Sequence, residues 1–437
     1  MKRTEIAALY GSPETFGDTQ VTVCGWARSI RDSKALGFID LNDGSCFKGI
    51  QVVFTAGKYR ELQGDRRAER RRCAACDRHV YPHARSEAAV LSCRRRRSLW
   101  RALPRRNTRC SKKRHTVEYL RTVAHLRPRT NLFNAAFRVR SAAAFAIHKF
   151  FNENGFVYAH TPIITGSDCE GAGEMFQITT LDMENPPRTE DGAVDYSKDF
   201  FSKQTSLTVS GQLEAECMAM AFGKVYTFGP TFRAERSFTP RHAGEFWMVE
   251  PEIAFADLND DMDLMESMIK YIIRDVLERC PQDIDFFNQF VDKDLKARLE
   301  HVANSDFVRI SYTDAVALLE KNNDAFEYKV SWGCDLQTEH ERYLTEKQFG
   351  KPVFVTDYPK EIKAFYMRLN DDGKNRCGDR PACAGHWRAL RREPERGAVR
   401  RAAQPHPGAR PQGGGLLVVP RPAPLRQQQA RGLRPRL

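Results

Sequence analysis

The sequence predicts an α+β fold in which helices flank an antiparallel sheet, and three observations favour it. Short runs of alternating apolar residues in the first 55 positions are typical of strands. After residue 130 the apolar period changes to that of helices, and from 156 to 279 several strands follow one another with helices interspersed. The chain has 437 residues, which is enough for two or three domains.

The segment 19–54 predicts a small β-barrel. Val21 and Val23 alternate in the first strand, two further apolar runs follow, and Asn42-Asp43-Gly44 supplies a tight turn between strands. Short strands joined by glycine turns are typical of small barrels, and the oligonucleotide-binding barrel (OB-fold) is one of them. The later strands fall in an altered segment described below, so we expect the barrel to be incomplete.

Three residues of this barrel are candidates for contact with a nucleic acid. Arg28 lies on a basic connection, Phe38 offers a ring on which a base could stack, and Gln51 offers an amide for a base edge. The alternative is that Phe38 belongs to the core and the basic residues form a solvated loop. Both interpretations are open from this segment alone.

Regular structure resumes after Lys112. The apolar period predicts a helix from 133 to Gly155, with Phe137 and Phe150 on its buried face. A strand ended by a proline turn follows at 156–167, then strand, helix and strand at 207–235, and another strand at 246–257. Asp257 is a suitable N-cap for the long amphipathic helix after it.

The net charge of +13 would by itself indicate a nucleic-acid-binding protein, but it is concentrated in two segments. Residues 66–114 contain sixteen Arg and two Lys against three acidic residues. Residues 376–437 contain fourteen Arg and no Lys against three acidic residues. The remainder of the chain is therefore acidic.

Both arginine-rich segments lack any apolar period and are rich in Ala, Pro, Gly and Cys. One interpretation is a basic tail that grips phosphates. We favour another: a GC-rich gene read out of frame, over about 60–111 and after 375, gives this mixture. We expect a barrel domain at 1–111, altered from about 60, a second domain at 112–375, and a disordered Arg/Pro/Gly-rich tail at 376–437. We expect no packed element in 66–111 or 376–437.

Two further features limit the class of protein. Cys73 and Cys76 have the spacing of half a zinc site, but no second pair follows, so no metal ligand is assigned. No run approaches the ~20 apolar residues that a membrane span needs, and the first residues lack the apolar region of a secretory signal. We therefore expect a cytoplasmic protein.

The stretch "FGPTFRAERSFTPRHAGEFWMVEPE", residues 228–252, carries both signs of charge in a predicted hairpin. Folding would bring together Arg233, Glu235, Arg241, His242 and Glu245. Arginine and histidine suit phosphates, glutamates suit donor groups, and the ring of Phe246 suits a base. A nucleotide has all of these features. A surface network of ion pairs is the alternative.

The order of residues in this stretch resembles the second signature motif of class II aminoacyl-tRNA synthetases. "RHAGEFWMVEPE" is similar to the asparaginyl branch of the aspartate-type subclass, the asparaginyl-tRNA synthetases. "FFNENGFVYAHTPIIT" resembles the first motif, with Pro162 at the dimer interface, and "EGAGEMF", "KDFF", "TVSGQLEAE" and "YPKEIKAFYMRLNDDGKN" match in order and spacing. The resemblance covers Tyr10 to about Lys58 and Lys112 to Asn375, and it implies the class II antiparallel sheet.

For ATP, the resemblance implies a role for each residue of the hairpin. Arg233 would be the catalytic residue that bridges the amino-acid carboxylate and the α-phosphate, and Glu235 would accept from the adenine amino group. Arg241 and His242 would hold the terminal phosphates, and Phe246 would stack on adenine.

For the other substrates, the resemblance implies amino-acid contacts and an anticodon site. Glu170 and Gln212 would take the ammonium of L-asparagine, and Glu245 and Arg368 its side-chain amide. Arg28, Phe38 and Gln51 would meet the anticodon of tRNA(Asn). The family further implies ATP with Mg²⁺ and a homodimer.

The chain departs from this family after Asn375. There the family continues with a glycine-rich metal-binding strand and a third motif, whose arginine clamps the ATP γ-phosphate, and residues 376–437 match neither. We therefore expect a truncated catalytic sheet and an inactive polypeptide. The alternatives are an aspartyl-tRNA synthetase and a non-catalytic, RNA-binding relative of the synthetases.

Overall fold

The computed structural model describes residues 3–16, 19–32, 36–55, 72–82, 89–93, 101–102, 115–167, 174–235, 243–362, 369–370 and 373–382. All of them belong to one compact unit, residues 1–392. None of the described helices is long and apolar enough to cross a membrane.

The described α-helices and strands occur in groups along the chain. The helices are α1 (Ile6–Gly11), α2 (Pro13–Phe16), α3 (Val117–Thr122), α4 (Asn131–Glu153), α5 (Gln212–Phe222), α6 (Leu258–Arg279), α7 (Pro281–Phe290), α8 (Leu295–Asn304), α9 (Tyr312–Glu320) and α10 (Thr338–Arg342). The strands are β1 (Gln20–Asp32), β2 (Leu36–Asn42), β3 (Ile50–Thr55), β4 (Arg72–Pro82), β5 (Ala89–Cys93), β6 (Arg101–Ala102), β7 (Val157–Tyr158), β8 (Ile164–Thr165), β9 (Gln177–Ile178), β10 (Thr205–Leu207), β11 (Lys224–Phe232), β12 (Glu245–Ile253), β13 (Val308–Ser311), β14 (Val353–Pro359) and β15 (Asn375–Ala382).

The N-terminal strands form a closed barrel. They pair in the order β1-β2-β3-β5-β4, and β4 pairs back with β1. Alternate residues of β1, β2 and β3, with Ile6 and Leu9 of α1, fill the interior. The predicted OB-fold barrel is therefore present, and it is more complete than the sequence indicated.

The expectation that 66–111 and 376–437 contain no packed element is wrong for four strands. β4, β5 and β6 lie in the first segment, and β15 extends into the second, where it pairs with β14. The reason is that ladder hydrogen bonds join main-chain groups, so an open strand edge accepts a partner without an apolar period. The rest of both segments, including 383–437, lies outside the described residues.

The outer face of the barrel carries the three candidate nucleic-acid residues. Phe38 of β2 is half-buried and Gln51 of β3 is exposed. Ile39, the next residue of β2 after Phe38, points into the barrel interior. Asp40 pairs with Gln51 and Phe38 with Val53, so Phe38 and Gln51 are diagonal neighbours on one face. The alternative in which Phe38 belongs to the barrel core is not supported.

The expectation that Arg28 lies on a connection is wrong, because Arg28 occupies a bulge within β1. Ala27 pairs with Leu41 and Ser29 with Asp40, which leaves Arg28 without a ladder partner. Bulges turn a side chain out of the normal alternation. Arg28 Nη1 donates to Asn131 Oδ1 at 3.1 Å, so this side chain lies between the barrel and α4.

The second domain is organised around β12-β11-β7. β11 and β12 are antiparallel over nine residue pairs, and β7 joins β11 in parallel. Tyr226 and Phe228 of β11 pack with Val249 of β12 against apolar residues of α4 and α6. That leaves the opposite face of the hairpin for α5 and for a ligand.

The two long helices, α4 and α6, lie where the sequence predicts them, but the buried face of α4 is only partly the predicted one. Asp257 caps α6 through the N–H groups of Asn259 and Asp260, as predicted. On α4 the prediction for Phe137 is wrong, since its side chain is 41% exposed. The prediction for Phe150 is confirmed, since its side chain is buried. Closer to the start of α4 the buried stripe runs through small residues such as Ala135 and Ala142, because helices that pack closely need little side-chain volume between them.

A loop of the barrel, residues 43–49, contacts the second domain. Arg138 of α4 donates from Nε and Nη2 to the buried carboxylate of Asp283 at 2.9–3.2 Å, and from Nη1 to the carbonyl oxygen of Gly44 at 3.4 Å. The ring of Phe47 lies 5.1 Å from that of Phe286, centre to centre. An ion pair, a backbone hydrogen bond and a ring contact therefore lie together where the barrel meets α4 and α7.

Candidate active site

The β11–β12 hairpin brings the predicted catalytic arginine over an aromatic ring. Arg233 follows β11 directly, and its backbone N–H donates to the carbonyl oxygen of Gly244 at 3.2 Å. Thr231 pairs with Phe246 across the hairpin, and the guanidinium carbon of Arg233 lies 5.5 Å from the centre of the Phe246 ring. A cation beside a ring face can hold both a phosphate and a base.

The same face of β12 continues with two glutamates, Glu250 and Glu252, because alternate residues share a face. Glu250 accepts three hydrogen bonds: from the hydroxyl of Ser210, from the N–H of Gly211 at 3.2 Å and from the hydroxyl of Thr227 at 2.7 Å. Three donors to one carboxylate offset the cost of removing its charge from water. Glu250 is therefore a fixed negative charge on this face.

Gln212 is placed by this carboxylate cluster. It is the first residue of α5, and its N–H donates to the hydroxyl oxygen of Ser210 at 3.2 Å. Gly211 before it has no room for a side chain, because an added Cβ would collide with the hydroxyl of Thr161. The turn from 208 to 212 thus requires glycine at its narrowest point.

Glu252 sits in an unfavourable electrostatic position. Burial, together with the negative charges of Glu216, Glu250 and Asp261, raises the pKa of its carboxyl to about 7. The folded protein consequently binds a proton between about pH 4.5 and 7 that the unfolded chain has released. Stability from this group is lost as the pH rises through that window.

We expect Glu252→Gln to stabilise the protein at pH 8 and to leave stability nearly unchanged at pH 5. At pH 8 the variant removes a half-buried charge, which is worth at most about 3 kcal/mol for a shift of this size. Urea unfolding at both pH values measures the difference. Glu245→Gln, at the exposed start of the same strand, controls for simple loss of charge. An equal effect of Glu252→Gln at both pH values would contradict the assignment.

A cavity of about 240 Å³ opens beside β11. Thr208, Thr227 and Glu250 line it from the side of the candidate site, and His148 and Trp247 line it from the side of α4. His148 Nδ1 is 2.8 Å from the Tyr226 hydroxyl, which fixes the imidazole ring in the cavity wall. The cavity therefore joins the two faces of the sheet at the edge of β11.

The remaining predicted residues divide into two groups. Glu235 and Glu245 are exposed at the open end of the hairpin, close in sequence to Arg233 and Phe246. Glu170, Arg241, His242 and Arg368 lie outside the described residues. Arg28, Phe38 and Gln51 belong to the barrel, so the structure separates them from the hairpin as predicted.

Sequence reasoning missed four residues of the site: Ser210, Glu216, Thr227 and Glu250. The signal for Glu250 was present, because it lies an even number of positions from Phe246 in a strand and must share its face. The hydroxyl partners could not be found this way, since Ser210 and Thr227 come from elements that only tertiary folding brings to β12.

The described residues contain no group of three or more His, Cys, Asp or Glu that could hold a metal ion. Glu250 is already engaged by three donors and Glu252 holds a proton up to about pH 7. These residues do not fit Mg²⁺, and no chemical step below depends on it.

Comparison with known proteins finds a family whose match includes the β11–β12 hairpin. The family model of class II tRNA synthetases (D, K and N) matches residues 116–393. The chain therefore belongs to the class II aminoacyl-tRNA synthetases.

Similar proteins within this family carry the name of one particular synthetase. The chain is 57% identical over 374 residues to "Asparagine--tRNA ligase" of Clostridium beijerinckii, covering 84% of this chain and 79% of the relative. It is 57% identical over 380 residues to the protein of the same name from Acetivibrio thermocellus, covering 86% and 80%. The crystal structure of asparaginyl-tRNA synthetase from Pyrococcus horikoshii complexed with asparaginyl-adenylate matches with a TM-score of 0.69 and 25% identity, over 87% of this chain and 80% of that one.

Proposed function

We propose that this chain carries the framework for ATP-dependent attachment of asparagine to tRNA(Asn) through an asparaginyl-adenylate, as in an asparagine–tRNA ligase of the cytoplasm. The position of Arg233 above Phe246 is the observation that carries the proposal. Relatives named for this activity, at 57% identity over most of the chain, support it.

In the first step the carboxylate of asparagine attacks the α-phosphorus of ATP in line, and pyrophosphate leaves. Arg233 bridges the carboxylate and the α-phosphate, neutralises the developing charge and holds the two reactants in line. Phe246 stacks on adenine and Glu235 accepts from its amino group. Arg241 and His242 hold the terminal phosphates.

In the second step a ribose hydroxyl at the end of the tRNA attacks the adenylate carbonyl, and AMP leaves. No covalent intermediate with the protein forms. The ammonium of the amino acid binds Glu170 and Gln212, and the fixed charge of Glu250 lies beside Gln212. A negative environment favours a cationic group there.

Choice of asparagine over aspartate is assigned to Glu245 with Arg368. The carboxylate of Glu245 accepts from the side-chain NH₂ of asparagine and repels the carboxylate of aspartate. Two like charges about 4 Å apart cost roughly 4 kcal/mol at an effective dielectric constant of 20.

A chain restored to frame over 60–111 and after 375 (the frame-restored chain) should therefore exchange pyrophosphate with ATP when asparagine is added. Equal or greater exchange with aspartate would favour an aspartyl-tRNA synthetase, and no exchange with either a non-catalytic relative.

We expect Phe38→Ala to weaken tRNA binding by the frame-restored chain without changing pyrophosphate exchange. Loss of one base stack costs about 1–3 kcal/mol, and Phe38 lies on the outer face of the barrel, away from the hairpin. Filter binding of tRNA measures the loss. Phe290→Ala, an aromatic residue 60% exposed on α7, is the matched control. Unchanged tRNA binding by Phe38→Ala would remove Phe38 from the anticodon site.

We expect a homodimer formed through residues 150–164, which include Pro162. Val157, Tyr158 and Ile164 are each at least 40% exposed, an apolar strip that a second copy would cover. Val157→Asp should convert the dimer into a monomer in sedimentation at micromolar concentration. Tyr328→Asp, at another exposed aromatic residue, should leave the dimer intact. A monomeric parent chain with a folded core would contradict this interface.

A further inference from the structure

The side chain of Gln212 has a hydrogen-bond partner that its proposed role does not explain. Its Nε2 donates to Glu216 Oε1 at 2.9 Å, one turn further along α5. Residues four apart on a helix lie on the same face, so the contact needs no rearrangement of the backbone. Gln212 is therefore held at its backbone by Ser210 and at its side chain by Glu216.

The chemistry of Glu216 decides which way the amide faces. A carboxylate accepts hydrogen bonds and has none to donate, so the amide nitrogen must face Glu216 and the amide oxygen must face away. An ammonium group has donors only. Gln212 can therefore bind an ammonium through Oε1 alone, and the contact with Glu216 leaves that atom available.

We propose that Glu216 is a positioning residue for amino-acid binding, which orients the Gln212 amide so that Oε1 accepts from the α-ammonium of asparagine. The inference rests on the proposed function, since that function assigns the ammonium to Gln212. Without Glu216 the amide turns about its terminal bond, and half of its orientations present NH₂ to the ammonium. The contact thus removes a repulsive orientation before the substrate arrives.

The surroundings of Glu216 fit this role. Glu216 is exposed, so little of the core depends on it. Its charge also acts on Glu252 of β12, which places it beside the carboxylate face of the site. Glu250 holds Ser210 and Gly211, the residues immediately before Gln212. One glutamate therefore fixes the backbone at Gln212 and the other fixes its amide.

The test compares two ligands on the full 437-residue chain. L-asparagine carries the α-ammonium, while succinamic acid has the same carboxylate and side-chain amide without it. Titration calorimetry gives Kd for each ligand. We expect the parent chain to prefer asparagine and Glu216→Leu to weaken asparagine binding at least about twofold, because only half of the amide orientations then accept the ammonium, with binding of succinamic acid unchanged.

Three further variants separate orientation from other effects. Glu216→Gln should restore asparagine binding, because its own amide oxygen accepts from Gln212 Nε2. Glu216→Lys should bind asparagine most weakly, because a donor there turns the amide around. Glu214→Leu is the matched control. Glu214 lies two positions from Gln212, on another face of α5, and its substitution removes the same charge.

The outcomes distinguish the inference from the function on which it rests. The inference is overturned if Glu216→Leu keeps the parental preference for asparagine, if it weakens both ligands equally, or if Glu216→Gln binds as poorly as Glu216→Leu. A parent chain that shows no preference for asparagine refutes the proposed function and this inference with it.

Discussion

Arg233→Ala in the frame-restored chain is expected to reduce asparagine-dependent pyrophosphate exchange by at least about 100-fold. Removal of a single group that stabilises charge in a transition state costs about 10²–10³ in rate. Arg233 is expected to do this and also to align the carboxylate with the α-phosphate. Because the proposed anticodon residues lie on the barrel, tRNA binding should stay close to that of the parent.

Two controls sharpen this experiment. Arg233→Lys should recover only part of the exchange, because an ammonium cannot make the paired hydrogen bonds of a guanidinium. Arg188→Ala, at an exposed loop arginine whose Nη1 contacts the Gly192 carbonyl oxygen, should exchange at the parental rate. Parental exchange by Arg233→Ala would mean that the charged hairpin is only a surface ion-pair network. The 437-residue chain as it stands should show no exchange, and robust activity there would contradict the frame-shift interpretation.

Elements marked by local chemistry could be predicted from the sequence. Asp257 allowed the start of α6 to be predicted, because a capping side chain acts on N–H groups only two and three residues away. The strand predicted at 246–257 overlaps β12, and it too was assigned from residues that are neighbours in the sequence. Phe137 on α4 could not be assigned correctly, because the sequence does not say how closely a helix approaches its neighbours, and the small Ala135 and Ala142 took the buried face.

The candidate site divides in the same way. Arg233 and Phe246 were predictable because one hairpin carries both. The contact of Gln212 with Glu216 was also local, but its importance depends on Glu250, which Ser210 and Thr227 hold from two other elements. The barrel strand β4 went unpredicted because its pairing with β1 is a main-chain property. Non-local partners and main-chain pairing are thus what the pattern of residue types leaves out.

Arg138→Leu is expected to destabilise the protein by about 3 kcal/mol, because it leaves the carboxylate of Asp283 buried without its partner. Breaking a buried ion pair costs about 3–5 kcal/mol. The lower value is expected because Asp283 lies in the first turn of α7, where helix N–H groups partly compensate its charge. Arg138 also contacts the Gly44 carbonyl, so amide exchange in the loop 43–49 should become faster.

The double variant Arg138→Leu with Asp283→Leu distinguishes loss of pairing from loss of packing. It removes both charges, so it should be more stable than Arg138→Leu alone, as replacement of a whole buried pair by apolar residues often is. Arg342→Leu is the matched control, because its pair with Glu346 is exposed and should contribute less than about 1 kcal/mol. Urea unfolding of the four chains gives the energies. If the double variant were less stable than Arg138→Leu, the joint between barrel and helices would depend on side-chain packing, and the ion pair would contribute little to it.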